Sequence, residues 1–175
     1  MAVTTRDIFR MRSYQRELRL ARARGCKRFV CLWHRRAGKD RNALAFALEE
    51  MLKRVGVYFH IFPSLNQGRR DLWTNVIQER QDGIERSMKM LSMFPDELVK
   101  RTDESEMSKE LINGSIYQVM GADSDEAVDR LRGPNPIGLI FSEYAHGVKM
   151  KRAWDTLSPV LAENGGWALF VYTPS

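Results

Sequence analysis

The chain alternates short apolar runs with longer segments of helical periodicity, and this alternation restricts its fold more than any other feature. Arg28 to Trp33 (RFVCLW) and Ile137 to Phe141 (IGLIF) fit buried parallel strands; Val57 to Phe62 (VYFHIF) and Trp167 to Tyr172 (WALFVY) read as further strands. Ser13 to Ala23 places Tyr14, Leu18 and Ala21 on one helical stripe. Lys39 to Arg54 does the same with Leu44, Ala47, Leu48, Met51 and Leu52. Asn66 to Gln78 predicts a helix carrying Leu72, Val76 and Ile77, and Ser124 to Leu131 a short one. Val148 to Leu157 predicts a helix that Pro159 ends. Glu79 to Ser108 has the weakest pattern and reads as helical pieces broken at Pro95. Asn113-Gly114, between Glu110–Ile112 and Ser115–Met120, is a hairpin signal. The sum is an α/β fold with a mostly parallel central sheet flanked by helices.

The 175 residues suit one domain, and 43% hydrophobic with 10% aromatic residues describes a globular chain. No apolar run nears the roughly 18 residues of a membrane span. Met1 to Arg12 has no apolar signal core, so an intracellular protein is expected. Cys26 and Cys31 flank a predicted strand and are expected as reduced, buried thiols. His34, His60 and His146 make no spaced ligand set with them. The net charge of +6 is crowded toward the N-terminus: Arg6, Arg10, Arg12, Arg16, Arg19, Arg22, Arg24, Lys27 and Arg28, against Asp7 and Glu17. That run is either a solvated helix face or a surface for a polyanion.

Chemistry concentrates at predicted strand ends. In Trp33 to Asp40 (WHRRAGKD) a strand passes through a short loop into a helix at Gly38-Lys39. A phosphate-binding loop needs this context, because backbone N–H groups and the helix dipole favour an anion there. Gly38 would admit phosphate close to the backbone and Lys39 would contact the β- and γ-phosphates. The match is imperfect: Trp33 replaces the first glycine of the usual motif and Asp40 its Ser or Thr. A basic strand–helix turn is the alternative. Leu139 to Glu143 (LIFSE) is an apolar strand ending in an acid, where a general base for hydrolysis would stand, although strand-end acids are common. Trp167 to Pro174 ends in Thr173, a polar residue that could sense the γ-phosphate. All of these strand ends would share one edge of a parallel sheet.

In the order and spacing of these segments the chain resembles the large terminase subunit of tailed bacteriophages, from about Tyr14 to Ser175. HRRAGKD is similar to that family's Walker A, and IFPSLNQGRRDLW to its second strand and following helix. LINGSIYQVMGA is similar to the hairpin before a Leu-Arg-Gly segment, LRGPNPIGLIFSEYA to that segment running into Walker B, and GGWALFVYTPS to the strand with the coupling motif. The resemblance implies a P-loop NTPase fold of the RecA-like (ASCE) class and an ATPase using ATP and Mg²⁺. It implies translocation of double-stranded DNA, a small terminase subunit as partner, and a ring homo-oligomer on a capsid portal, with a monomer in isolation. It places the activity in the cytoplasm of an infected bacterial host, with no membrane.

The resemblance also lends residue roles. Tyr14, Gln15, His34, Arg35, Arg36, Ala37, Gly38, Lys39 and Asp40 become the nucleotide-binding set. Within it Gln15 reads adenine, and Tyr14 is a stacking partner or else a core aromatic. Arg35 faces the γ-phosphate in cis. Arg132 is a finger into a neighbouring subunit, or else a solvated loop arginine. Glu143 is the catalytic carboxylate and Thr173 the coupling residue. Asp40 and Ser142 would flank the metal, with carboxylate and hydroxyl exchanged relative to the usual pattern. Family members continue into a nuclease domain; no cluster of metal-binding acids is found here. Residues 1–175 are therefore read as a single ATPase domain that ends just after the coupling motif and does not cut DNA. A helicase-like ATPase would need a second RecA-like half. A nucleotide-regulated DNA-binding or assembly module would not need the general base offered by Glu143.

Overall fold

The computed structural model describes residues 11–81 and 84–173; Arg6, Arg10 and Pro174 lie outside them. Helix α1 (Ser13–Ala23) leads into β1 (Arg28–Leu32), α2 (Lys39–Lys53) and β2 (Val57–Phe62). A short α3 (Leu65–Gly68) continues into a π-turn at Arg69–Trp73, followed by β3 (Val76–Gln81) and β4 (Ile84–Lys89). Then come β5 (Val99–Asp103), β6 (Ser108–Leu111), β7 (Ile116–Gly121), α4 (Asp125–Arg130), β8 (Pro136–Ser142), α5 (Met150–Asn164) and β9 (Trp167–Tyr172).

The central sheet has seven strands in the order β1-β9-β8-β2-β7-β6-β5. The pairs from β1 through β7 are parallel, and β6 and β5 extend the sheet antiparallel. Strand period decides which side chains meet which layer. Tyr58, Phe62, Tyr117, Ile140 and Leu169 pack with α2 on one face; Phe59, Ile61, Leu139, Phe141 and Ala168 pack with α4 and α5 on the other. Helix α2 is buried on nearly every side from Asn42 to Leu48, because α1 covers the side that faces away from the sheet. Among the described residues no helix is long and apolar enough to cross a membrane.

Several expectations are corrected. The Asn66–Gln78 helix stops at Trp73. Gly68 packs so closely on Phe62 and Val119 that an added Cβ would lie 2.7 Å from Val119 Cγ1, and β-branched Val76 and Ile77 enter a strand instead. The helical pieces expected over Glu79–Ser108 are replaced by the β3–β4 hairpin, 3₁₀ turns at Met90–Met93 and Asp96–Leu98, and β5. Pro159 does not end α5, which runs on to Asn164 and a left-handed Gly165 cap (φ 70°). The ring is on the exposed side, where the carbonyl it leaves unpaired can meet water. Strand β1, at the edge of the sheet among the described residues, is buried on one face alone: Phe29 lies in the core while Val30 is 62% and Leu32 55% exposed on the other face. Cys26 is exposed rather than buried, and Cys31 is half-buried, with its thiol pushed up to about 11 by burial.

Candidate nucleotide site

The parallel register carries the ends of β1, β8 and β9 to one edge. Leu32 pairs with Tyr172 and Ser142 with Val171. Trp33 N–H donates to Tyr172 O (3.2 Å) and Glu143 N–H to Val171 O (2.8 Å), so Thr173 follows directly between the two loops. The segment after β1 turns tightly. Arg36 (φ 65°) and Gly38 (φ 74°) both lie in the left-handed region, and Ala37 N–H donates back to His34 O at 3.2 Å. Glycine takes that conformation without penalty, and Gly38 is the N-cap of α2. Arginine does not, at a cost of roughly 1–2 kcal/mol, a strain typical of ligand-binding loops.

Helix α1 holds this loop from below. Ala37 O accepts from both Tyr14 OH (2.9 Å) and Gln15 Nε2 (3.0 Å), while Gln15 Oε1 accepts from Arg12 N–H (2.9 Å). Gln15 is 2% exposed. One end of its amide holds the loop and the other caps the N-terminus of α1, so here it braces the loop against the helix. Tyr14 is not a core aromatic; it is surface-exposed and meets Trp33 edge-on, with centroids 5.5 Å apart. His34 donates from Nδ1 to Arg35 O (2.7 Å), and His34, Arg35 and Arg36 are all exposed on the loop.

Four side chains from two of these segments, the start of α2 and the end of β8, converge. Lys39 Nζ lies 2.7 Å from Glu143 Oε1 and 3.2 Å from Asp40 Oδ1. Ser142 Oγ donates to Asp40 Oδ1 at 3.4 Å. Burial opposes the Lys39 ammonium, but the Asp40 and Glu143 carboxylates outweigh it and hold its pKa above the ordinary lysine value. Burial lifts the Asp40 carboxyl above the ordinary range, against the pull of Lys39. Glu143 is itself left-handed (φ 55°, ψ 41°), which turns its side chain off the end of β8 toward Lys39. The oxygens of Asp40 and Ser142 form a hard donor pair of the kind that fits Mg²⁺.

The sequence reading missed His60. It is fully buried on β2, donor or acceptor to Tyr117 OH through Nδ1 (2.7 Å) and to Ser142 Oγ through Nε2 (2.8 Å). Burial, followed by the charge of Lys39, lowers its pKa to about 3, so it is neutral. A polar side chain in the otherwise apolar VYFHIF run was the available signal. Arg132 is not part of the cluster. It is 62% exposed, ion-paired with Asp129 at 3.5 Å, on the loop that enters β8 at the end opposite Glu143.

No family model matches the sequence, and no characterised protein sequence matches it significantly. Solved structures do match the fold. The ATPase domain of the large terminase from Thermus phage P74-26 is 21% identical, with a TM-score of 0.53, over 95% of this chain and 66% of that one. The large terminase of a thermophilic bacteriophage is 12% identical with a TM-score of 0.69, over 94% of this chain and 39% of that one. The same terminase solved in complex with ADP is 14% identical with a TM-score of 0.65, over 92% and 38%. The chain therefore has the P-loop NTPase fold of these terminase ATPase domains and spans between 38% and 66% of their length.

Proposed function

We propose that the chain is the ATP-hydrolysing motor domain of a viral DNA-packaging terminase, coupling hydrolysis to movement of double-stranded DNA. The observation that carries this reading is the convergence of Lys39, Asp40, Ser142 and Glu143 at one edge of a parallel sheet, below a strained loop at a helix N-terminus. The β- and γ-phosphates of ATP take the loop from His34 to Lys39, contacted by the Lys39 ammonium. Asp40 and Ser142 would hold Mg²⁺, which neutralises charge on the β- and γ-phosphates. Glu143 takes the proton from the attacking water.

The Lys39–Glu143 ion pair gives this reading a simple order of events. With no phosphate to contact, Lys39 holds Glu143. A phosphate competes for Lys39 and frees the carboxylate to act as a base. Arg35 follows the γ-phosphate from the same loop, and Thr173, between the β1 and β8 loops, passes the change to β9. Arg132 acts in trans, in a ring where neighbouring subunits meet. The charge of +6 suits DNA phosphates.

Phosphate release measured with and without double-stranded DNA tests the proposal. Stimulation by DNA of any sequence is expected, falling steeply with added salt, with specific activity rising as protein concentration rises and subunits meet. Phosphate release indifferent to DNA at low salt would overturn the motor reading.

A further inference from the structure

A chain of buried hydroxyl and imidazole contacts reaches from the antiparallel side of the sheet to Asp40. Tyr117 on β7, His60 on β2, Ser142 on β8 and Asp40 on α2 are joined by contacts of 2.7, 2.8 and 3.4 Å. Tyr117, His60 and Ser142 are all fully buried. A buried polar group without a partner costs about 1–3 kcal/mol, so each proton in this row must have a defined place.

With Asp40 ionised, the proton count favours one arrangement. With the Lys39 ammonium 3.2 Å away, Asp40 takes part as a carboxylate and only accepts. Ser142 has a single hydroxyl proton, and the carboxylate claims it. The Ser142 oxygen must then accept from His60, which requires a proton on Nε2. A neutral imidazole has one N–H, so Nδ1 is bare and accepts from the Tyr117 phenol. His60 stacks on Phe62, with centroids 4.7 Å apart, and this fixes its ring plane. Three donors thus point the same way, and donors aligned in sequence polarise one another.

We propose that Tyr117 and His60 form a buried donor relay that orients the Ser142 hydroxyl onto Asp40, making His60 a positioning residue for the metal end of the site. The proposal rests on the reading of Asp40 and Ser142 as that end. Its consequence is a fixed direction for both oxygens. Ser142 presents its remaining lone pair outward, and Asp40 is held in one rotamer. The geometry also ties the cluster to β7, and through it to the β6–β5 extension, by hydrogen bonds rather than by packing alone.

Two measurements test the relay. In the wild-type protein, without nucleotide, nitrogen NMR of His60 is expected to show Nε2 protonated and Nδ1 bare. Protonation at Nδ1 instead would overturn the relay, whatever the protein binds. Tyr117→Phe removes one oxygen and keeps the ring. The Mg²⁺ concentration for half-maximal phosphate release is expected to rise about fivefold, the effect of one ordinary hydrogen bond. ATP affinity measured in the presence of a chelator should stay at the wild-type value, an outcome that a loosened fold would not give. An unchanged Mg²⁺ requirement would overturn the relay. If wild type binds no nucleotide, the ATPase reading fails while the tautomer measurement still decides the relay.

Discussion

Glu143, within the Lys39 cluster, and Arg36, in the loop that leads to Lys39, are non-glycine residues in left-handed backbone. Such residues persist only where their surroundings fix them; for Glu143 those surroundings are its N–H bond to Val171 O and its ion pair with Lys39. The facing of Asp40 and Ser142 gives a test at the same scale. In the proposed reading each supplies what the other position commonly carries, and their oxygens are 3.4 Å apart. Ser142→Asp alone would crowd two carboxylates beside Glu143, and Asp40→Ala alone would weaken the dependence on Mg²⁺. The double variant Asp40→Ser with Ser142→Asp should recover much of the activity that the single variants lose. Phosphate release against Mg²⁺ concentration in all four proteins reads the coupling, and simple additivity would refute the exchange. Lys39 and Glu143 are legible in the sequence because each sits at a loop–helix or strand–loop junction that the periodicity marks, whereas Ser142 stands out only against the family pattern. His60 is not legible there, because its role depends on Tyr117 and Ser142, which only the sheet register brings beside it. For Gln15 the resemblance implies adenine reading, whereas its bond to Ala37 O is a tertiary fact that no sequence pattern displays.

Among the elements, β8 aims both Ser142 and Glu143, and its placement depends on Gly138. A Cβ there would lie 2.4 Å from Tyr58 Cδ1 and 2.7 Å from Trp167 Cζ2. The Tyr58 ring cannot swing aside freely, since its hydroxyl donates to Arg54 O at 2.6 Å and contacts Glu50 O at 3.0 Å. Gly138→Ala should therefore cost about 1–3 kcal/mol of stability by overpacking. Urea unfolding would show it as a lower midpoint at unchanged slope, and a wild-type midpoint would contradict the packing described. Strands β2, β8 and β9 and helices α1 and α2 were legible because their patterns are long or wholly apolar. The errors have physical causes. Strand β1 is as apolar as its neighbours, yet periodicity cannot tell an edge strand from a central one. Over 76–89 the Asp82-Gly83 dipeptide carried a hairpin signal like that of Asn113-Gly114, but its flanking residues are polar and hid the strands. Pro159 was given its average effect, which solvent exposure at that turn reduces.

For the whole molecule, the charge reading changes. Arg19 and Arg22 do not face solvent phosphates; they bind Glu49 (2.9 Å) and Glu50 (2.8 Å) and fasten α1 to α2. The N-terminal basic run is thus partly the glue that holds the brace of the loop, and the surface open to a polyanion is smaller than the sequence suggests. What unites the molecule is the sheet edge at which the ends of α1, β1, α2, β8 and β9 meet. The account stands on that edge hydrolysing ATP. Its most direct test is equilibrium ATP binding and steady-state phosphate release, measured side by side on wild type, Lys39→Ala and Glu143→Gln. Lys39→Ala should bind ATP weakly. Glu143→Gln, which loses the ion pair that occupies Lys39, should bind ATP at least as tightly as wild type and hydrolyse it roughly a hundred- to ten-thousand-fold more slowly. Wild-type turnover in Glu143→Gln, or wild-type affinity in Lys39→Ala, would contradict the account.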